Sequence, residues 1–261
     1  NHIVKEVNTY DSNDKDISDI EIYFGNRINS ELIEKMPNLK WIHFGSVGVD
    51  KVLNMKKDII VTNSKGTMDE ALSCSALSLM FSLARGVNHC YDLRHKSNLS
   101  RNSMNNYFNK LQNVYNQTIL IAGCGSVGEK VASVCEVMGM RVIRMTSQHT
   151  TDALYHLVES ADFVLNLLPY TKKTKSIFNK KAFGNMKNNS YFINIGRGET
   201  VVEEDLIEAL QNNWIGGAGL DVFQNEQKLP KSPLRDDSPL WNMENVIITP
   251  HIAGWSNDYW N

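Results

Sequence analysis

Three short segments in the second half of the sequence carry side chains suited to carboxylate binding and proton transfer. Arg197 lies between two glycines in the segment NIGRG, Glu226 follows LDVFQN, and His251 lies in TPHIAG. A guanidinium presented by a glycine turn offers two parallel donors that match a carboxylate. Glu226 and His251, like Arg197, follow shortly after predicted apolar strands. A lone arginine or glutamate is usually a surface residue, but the three together favour a catalytic site.

A glycine-rich turn earlier in the chain predicts where a dinucleotide binds. Residues 118–128 read TILIAGCGSVG, in which four apolar residues lead into Gly123, Gly125 and Gly128. In dinucleotide sites the first glycine allows a tight turn, the second lets the backbone approach the pyrophosphate, and the third lets helix and strand pack closely. The N–H groups at the start of the following helix then face the phosphates. Apolar residues do recur at helical spacing after this turn, as such a site requires.

The elements that must position these segments alternate between strand and helix from residue 118 onwards. Helical patterns separate most of the strands, notably at 203–211. This alternation predicts a parallel, doubly wound α/β sheet with helices on both faces. Ligands of such sheets bind beyond the carboxyl ends of the strands, where the three segments fall. The predicted strands are 119–122, 142–145, 163–167, 191–195, 217–222 and 246–249.

A smaller α/β unit is predicted before residue 67. Its strands are expected at 20–24, 39–44 and 59–62 and its helix at 30–36; the first strand is expected to be buried, and Ile3–Val7 is a further strand-like run.

The segment that follows is expected to open a long helix. Thr67-Met68-Asp69-Glu70 has the form of a capping box. The helix body, 71–87, is apolar nearly all round and is therefore expected to be deeply buried. The polar segment 94–117 predicts a surface connection, and its three aromatic residues are either packing anchors or contacts to a second subunit. These aromatic residues are Tyr107, Phe108 and Tyr115.

Composition narrows the class of protein. A chain of 261 residues is natural for two domains. The formal net charge is -2 with no long block of one sign, which gives no electrostatic case for nucleic acid or an anionic membrane as a partner. The four cysteines show no CxxC pair and no metal-ligand spacing, so no metal site is predicted and a reducing, cytoplasmic location is expected. No apolar run is long enough to span a membrane.

These motifs, in this order, resemble those of the D-isomer-specific 2-hydroxyacid dehydrogenase family. The resemblance runs from the SVGVD turn at 46–50 through GCGSVG, NIGRG and LDVFQNE to TPHIAG. It implies a Rossmann-type NAD(P)-binding domain at 67–250 and a smaller flavodoxin-like α/β substrate domain at 1–66. Residues 251–261 would begin the return to the substrate domain, which is expected to be incomplete at both chain ends. The segment 229–241 resembles the glyoxylate/hydroxypyruvate reductase branch.

The resemblance also implies an activity and a role for each matching residue. The enzyme would be an oxidoreductase that uses NAD(P) to interconvert a 2-oxo acid and a D-2-hydroxy acid. His251 would be the general acid, Glu226 its partner and Arg197 the ligand of the substrate carboxylate, which Val47 and Gly48 would also bind through backbone N–H groups. A homodimer built on the cofactor domains is implied. The cofactor-binding residues would be Gly123, Gly125, Ser126, Val127, Gly128, Thr146, Ser147, Leu168, Pro169, Thr174, Ile195, Gly196, Asp221 (at the nicotinamide carboxamide) and Gly254.

Several alternatives stay open on the sequence. The segment Met145–Gln148 has no acid where a carboxylate would bind the adenosine ribose, so NADP is permitted as well as NAD. Arg144 and His149 are the nearby cations, although Arg144 is equally well explained as a paired strand residue. Formate dehydrogenases resemble this family but have Gln at the position of Glu226. A corepressor-type protein that senses NAD(H) with little turnover is the alternative from another class, and Trp255 is either a pocket residue or a packing aromatic.

Overall fold

The computed structural model describes residues 17–49, 52, 58–226 and 232–257. The chain divides into two compact units, Asn1–Thr67 and Met68–Asn261. The strand-like run Ile3–Val7 lies outside the described residues.

The smaller unit contains a three-stranded parallel sheet of order β1-β2-β3. Its core forms on one face of this sheet, where Tyr23, Ile42 and Phe44 are buried. Strand β1 was expected to be buried, and this is wrong for two of its three residues, since Ile22 is 54% and Phe24 67% exposed. Successive side chains of a strand point to opposite faces, and only the face of Tyr23 meets the core. The elements are β1 (Ile22–Phe24), α1 (Ser30–Glu34), β2 (Trp41–Phe44) and β3 (Ile60–Asn63).

The larger unit contains a six-stranded, wholly parallel sheet of order β5-β4-β6-β7-β8-β9. The chain passes from β4 to β5 on one side and then returns across β4 to β6 on the other, so the order reverses between β4 and β6. In open α/β sheets this reversal marks the ligand-binding crevice. The strands are β4 (Thr118–Ala122), β5 (Arg141–Met145), β6 (Phe163–Asn166), β7 (Tyr191–Asn194), β8 (Gly217–Leu220) and β9 (Val246–Ile248).

Helices cover both faces of this sheet. On one face α2 and α4 pack against Ile119, Ile121 and their neighbours on β6 and β7. On the other face α5, α6 and α7 pack against Leu120, Ala122 and the intervening strand residues. The alternation of strand side chains between the two cores confirms the predicted doubly wound α/β fold. The helices are α2 (Asp69–Ala84), α3 (Val87–His95), α4 (Ser126–Val137), α5 (Thr151–Leu157), α6 (Lys180–Gly184) and α7 (Glu203–Gln211).

The start of α2 differs from the sequence prediction. The hydroxyl of Thr67 donates to the carbonyl of Ser64 at 2.8 Å, and the N-cap residue of α2 is Met68, without a side-chain cap hydrogen bond. The predicted capping box is therefore wrong: the preceding turn uses the Thr67 hydroxyl.

The end and the burial of α2 also differ from expectation. The helix ends at Ala84, because Gly86 takes a left-handed conformation with φ 63° and α3 begins at Val87. The helix is deeply buried on one side, for example at Leu79 and Leu83, whereas the expectation of deep burial is wrong for Cys74 and Ser78, which are exposed.

The connection between α3 and β4 separates its aromatic residues into two groups. Tyr107 is buried and stacks on His89 with ring centroids 4.2 Å apart, as expected of a packing anchor. Phe108 and Tyr115 are 70% and 57% exposed. Within the part of the chain that the structure describes, no helix combines the length and the apolar character needed to cross a membrane.

Candidate active site

The glycine turn after β4 has the backbone geometry that its sequence predicts. Gly123 has φ 91°, and a Cβ atom there would lie 2.9 Å from the backbone of Leu167 and Leu168. A Cβ atom at Gly128 would lie 3.0 Å from Sγ of Cys124, against the strand that α4 crosses. The first and third glycines are thus required for the tight turn and for helix–strand packing.

The second glycine leaves room for a ligand. No atom lies within 4 Å of the position that a Cβ atom would take at Gly125. Gly125 is also the N-cap of the twelve-residue helix α4, so it offers no side chain to the N–H groups of the first turn, including those of Ser126 and Val127. Free N–H groups, the positive end of a helix and an open backbone position together fit a dinucleotide pyrophosphate.

The turn after β5, where the adenosine ribose would bind, is closed by two hydrogen bonds between its own residues. The N–H of Thr146 donates to Nδ1 of His149 at 3.2 Å, and the N–H of His149 donates to the carbonyl of Thr146 at 3.1 Å. An Nδ1 that accepts a hydrogen bond leaves the ring proton on Nε2 in the neutral imidazole.

Arg144, at the end of β5, is paired with carboxylates on α4. Its Nε donates to Glu129 at 3.1 Å and its Nη1 to Glu136 at 2.8 Å, both on α4. The interpretation of Arg144 as a paired strand residue is therefore the one that its contacts support.

The loop after β6 forms the other wall of the crevice. The hydroxyl of Thr174 donates to the carbonyl of Pro169 at 2.6 Å and closes the loop. A Cβ atom at Gly196, in the loop after β7, would lie 2.9 Å from the carbonyl of Leu168. Gly123 and Gly196 belong to different loops, and both lie against the backbone at Leu168. The three loops therefore meet at one edge of the sheet.

Arg197 is held close to the loop that carries Glu226. A Cβ atom at the next residue, Gly198, would overlap the backbone of Phe223. Nη1 of Arg197 donates to the carbonyl of Gly196 at 2.7 Å, and the side chain is half-buried. The NIGRG segment thus needs its second glycine so that the two loops can touch.

A buried polar cluster lies beneath Arg197, and the sequence motifs do not predict it. Asn166 ends β6 and Asn194 ends β7, and the two residues are partners in the register of the sheet. Nδ2 of Asn166 donates to Oδ1 of Asn194 at 3.0 Å and to the hydroxyl of Thr200 at 2.7 Å. The signal that could have found the pair is the same residue at the end of two neighbouring strands, FVLN and YFIN.

Glu226 and His251 form the closest charged contact of the site. Oε1 of Glu226 lies 2.5 Å from Nδ1 of His251. Oε2 of Glu226 accepts the N–H of Phe223 at 3.1 Å, which fixes the carboxylate. Asn225 and His251 have left-handed backbones with φ 62° and 56°. Asn225 precedes Glu226 in the chain, so a left-handed residue lies at or beside each partner of this contact, and left-handed residues other than glycine cluster at functional sites.

The electrostatics of the pair favour the protonated imidazole. The hydrogen bond from His251 to the Glu226 carboxylate raises the pKa of His251 above its ordinary value, although burial and the positive charge of Arg197 act in the opposite direction. Asp221 adds to the increase. His251 is thus protonated over a wider pH range than a free histidine, with Nδ1 bound to the carboxylate and Nε2 as the nitrogen for proton exchange.

Asp221 ties the loop of His251 to the end of β8. One carboxylate oxygen accepts the hydroxyl of Thr249 at 2.6 Å and the N–H of Ile252 at 3.0 Å, and the other accepts the N–H of Ala253 at 3.0 Å. The hydroxyl of Ser75 on α2 donates to the carbonyl of Ala253 at 3.0 Å. The predicted contact of Asp221 with the nicotinamide carboxamide stays a prediction, and these contacts assign it a loop-holding role as well.

The remaining predicted site residues lie in several places. Ile195 is buried behind Gly196, while Gly254 lies against Met68. Trp255 is 69% exposed. In the smaller unit, Val47 and Gly48 follow β2, and Nδ2 of Asn63 donates to the carbonyl of Val47 at 2.6 Å. Within the described ranges no group of three or more His, Cys, Asp or Glu side chains could hold a metal ion.

Comparisons with known proteins identify the family. The family model described as D-isomer specific 2-hydroxyacid dehydrogenase, NAD binding domain, matches residues 77–253. The chain belongs to this family. Glyoxylate/hydroxypyruvate reductase B of Salmonella paratyphi A is 34% identical over 246 residues, which are 88% of this chain and 73% of the relative. Glyoxylate reductase of Korarchaeum cryptofilum is 31% identical over 248 residues, which are 88% of this chain and 71% of the relative.

A solved structure supports the same assignment. D-lactate dehydrogenase from Aquifex aeolicus, complexed with NAD and lactic acid, superposes with a TM-score of 0.81 at 27% identity, covering 97% of this chain and 81% of that one. The predicted family and the predicted enzyme class, an NAD(P)-dependent D-2-hydroxyacid dehydrogenase, are confirmed. The corepressor-type alternative finds no support among these relatives.

Proposed function

We propose that this protein reduces a small 2-oxo acid to the D-2-hydroxy acid at the site formed by Arg197, Glu226 and His251. The observation that carries the proposal is the 2.5 Å contact between His251 and Glu226, at the sheet edge where the glycine turn opens. The larger unit would be the cofactor domain and the smaller unit the substrate domain, as the family resemblance implies.

Each residue has a task that its environment supports. The glycine turn and the first turn of α4 would hold NADH or NADPH, which would supply the hydride for the carbonyl carbon. His251 donates the proton that the carbonyl oxygen needs, and Glu226 keeps that proton on the ring until it is used. Arg197 binds the carboxylate of the 2-oxo acid through its planar guanidinium. The positive charges of Arg197 and protonated His251 stabilise the negative charge that develops on the oxygen.

The substrate that we propose is a 2-oxo acid with a small side chain. The two curated relatives are named for glyoxylate, and one of them also for hydroxypyruvate. We therefore propose glyoxylate and hydroxypyruvate as the first substrates to test. Pyruvate belongs in the same set, since the solved relative holds lactic acid.

A panel of 2-oxo acids assayed with NADH and with NADPH tests the proposal. We expect turnover with at least one small 2-oxo acid, a product of the D configuration, and a loss of about 100-fold or more in kcat for His251→Ala. His156→Ala is the matched control, because His156 also lies beside a glutamate, Glu159, at 3.5 Å on the surface. Full activity of His251→Ala on every substrate of the parent would rule out its role as the acid.

We further propose that the enzyme is a homodimer and that it is cytoplasmic. Exposed apolar side chains are concentrated in the segment 87–115 of the larger unit, namely Val87, Tyr91, Leu99, Phe108 and Tyr115. Apolar surface of this kind is often buried between subunits. Sedimentation velocity should give a dimer for the parent and a monomer for Phe108→Asp. Val137→Asp, at another exposed apolar position, is the control that should stay dimeric. Cell fractionation tests the location.

A further inference from the structure

The buried cluster of Asn166, Asn194 and Thr200 ends on the backbone of Arg197. All three side chains are almost completely buried, with exposures of 0%, 1% and 0%. The hydroxyl of Thr200 donates to the carbonyl of Arg197 at 2.6 Å, and Nδ2 of Asn194 approaches the same oxygen at 3.4 Å. Buried polar groups cost free energy unless they are hydrogen-bonded, so a satisfied cluster at this place favours one arrangement of the loop.

The hydrogen bonds of the cluster form a chain of donors that runs from Asn166, at the end of β6, through Thr200 to Arg197. Nδ2 of Asn166 donates to the Thr200 hydroxyl at 2.7 Å, which leaves the hydroxyl proton for the carbonyl of Arg197. The other donor on Nδ2 goes to Oδ1 of Asn194, and Oδ1 of Asn166 accepts the N–H of Leu168. Asn166 therefore has each of its three available groups occupied, and Thr200 accepts one hydrogen bond and donates one.

Within the loop itself the N–H of Thr200 donates to the carbonyl of Arg197 at 3.3 Å, a longer bond than the 2.6 Å bond from the Thr200 hydroxyl to the same oxygen of Arg197. Gly196 and Gly198 flank Arg197, and glycine restricts the backbone less than any other residue. The N–H of Gly196 donates to Oδ1 of Asn194 at 3.1 Å. The same buried cluster thus holds the residue before Arg197 and the carbonyl of Arg197 itself.

From this arrangement we propose that Thr200 and Asn166 are positioning residues, which set the direction of the Arg197 guanidinium toward the substrate carboxylate. The proposal rests on the proposed role of Arg197. It extends the site by two residues that touch neither substrate nor cofactor. A carboxylate bound by two parallel donors requires the guanidinium plane in one orientation, and a backbone that can rotate at Arg197 weakens that match.

Thr200→Val tests the proposal, because valine keeps the shape of threonine and removes its hydroxyl. The backbone at this position is held independently of the side chain, since the N–H of Phe178 donates to the carbonyl of Thr200 and Val201 pairs with Phe178. We expect the KM for the 2-oxo acid to rise about tenfold, with kcat changed much less. A tenfold change corresponds to the net free energy of one hydrogen bond near the upper end of its usual range. The dissociation constant of NADH and the pH profile governed by His251 should not change.

Three variants separate positioning from loss of structure. Thr200→Ser keeps the hydroxyl and should restore the KM to within about twofold of the parent. Thr118→Val replaces another buried threonine, at the amino end of the same sheet, and should leave the KM unchanged. In an Arg197→Ala background, Thr200→Val should have no further effect on the KM, since residues that act through one another are not additive. If Thr200→Val does not fold, Thr200→Ala takes its place.

The outcomes distinguish this proposal from the proposed function. A parent that reduces no 2-oxo acid contradicts the proposed function. In that case the positioning role is tested by comparing the position of the Arg197 carbonyl in crystal structures of the parent and of Thr200→Val. An unmoved carbonyl overturns the positioning role, and a displaced one supports it. With an active parent, an unchanged KM in Thr200→Val, or equal effects of Thr200→Val in the presence and absence of Arg197, also overturns it.

Discussion

Nδ1 of His251 lies 2.5 Å from Oε1 of Glu226, although 25 positions separate the two residues in the chain. The contact forms because the loops after β8 and β9, two neighbouring parallel strands, leave the sheet at the same edge. The carboxylate is fixed from its other oxygen by the N–H of Phe223. The fixed carboxylate therefore holds the imidazole of His251 through Nδ1, which leaves Nε2 for the proposed proton transfer.

Replacing Glu226 by Gln should shift the pH dependence of the reaction to lower pH. The Glu226 hydrogen bond raises the pKa of His251, so in the parent the reduction of a 2-oxo acid should decline only as pH rises through that raised pKa. Glutamine keeps a hydrogen-bonding side chain but lacks the charge that favours the imidazolium. We expect the descending limb of log kcat/KM to move toward acid pH. Glu159→Gln, at the surface pair with His156, should leave the profile in place.

The same pair should stabilise the fold in a pH-dependent way. A histidine whose pKa is raised by folding contributes stability that is fully present below its ordinary pKa, 6.5, and that is lost as pH rises through the raised value. The melting temperature of the parent should therefore exceed that of Glu226→Gln by more at pH 6 than at pH 9. A difference that grows with pH would contradict the assigned direction of the shift.

Two glycine substitutions should separate folding from cofactor binding. A Cβ atom at Gly198 would overlap the backbone of Phe223, and backbone atoms cannot move aside as a flexible side chain can. We expect Gly198→Ala to lose about 3 kcal/mol or more of folding free energy in urea unfolding. A Cβ atom at Gly125 has open space around it, so Gly125→Ala should fold normally. It should lose affinity for NADH, because the methyl group would occupy the space expected for the pyrophosphate.

Gly184→Ala is the control for both substitutions. No atom lies within 4 Å of a Cβ atom at this position at the end of α6, so the variant should equal the parent in stability or exceed it slightly, with unchanged cofactor binding. A stable Gly198→Ala protein, or a Gly125→Ala protein with parental affinity for NADH, would contradict the packing described for the turn concerned.

The sequence predicted the sheet of the larger unit well, because its signals are local. Each predicted strand is a short apolar run, and 163–167 differs from the observed Phe163–Asn166 by a single residue. The helix 203–211 was predicted with its observed bounds. The capping-box pattern failed at Thr67, because its hydroxyl bonds to the carbonyl of Ser64, three residues earlier, rather than to α2.

The sequence singles out the charged residues of the candidate site, but not the residues that hold them. Arg197 lies between two glycines after one predicted strand and His251 lies just past another, and open α/β sheets bind ligands at such places. Asn166 gives no such signal, since its importance arises from the register that places it beside Asn194 and from a loop that returns Thr200 beneath both. Such contacts join residues 28 to 34 positions apart, beyond the range of periodicity arguments.

Arg144 should not determine the choice between NADH and NADPH. Its guanidinium is bound to Glu129 and Glu136, and the two carboxylates raise its pKa further above its usual range. We expect Arg144→Met to lower the melting temperature slightly and to leave the ratio of kcat/KM for NADPH and NADH within about twofold of the parent. A guanidinium bound to the 2′-phosphate would make a selective difference of tenfold or more, which the same ratio would reveal.

Alkylation should distinguish the cysteine in the glycine turn from the one on α2. Burial, together with the hydrogen bond to Glu129, raises the pKa of Cys124 to about 12, and the thiolate is the reactive form. Cys74 is exposed. In the native protein at pH 8, we expect iodoacetamide to modify Cys74 at least about tenfold faster than Cys124, measured by peptide mass spectrometry. Glu129→Gln removes the carboxylate that opposes ionisation of the thiol, so this variant should label faster at Cys124 while labelling of Cys74 is unchanged. Equal labelling of the two cysteines in the native parent would show that the Cys124 thiol does not lie against Glu129 and α4 as described.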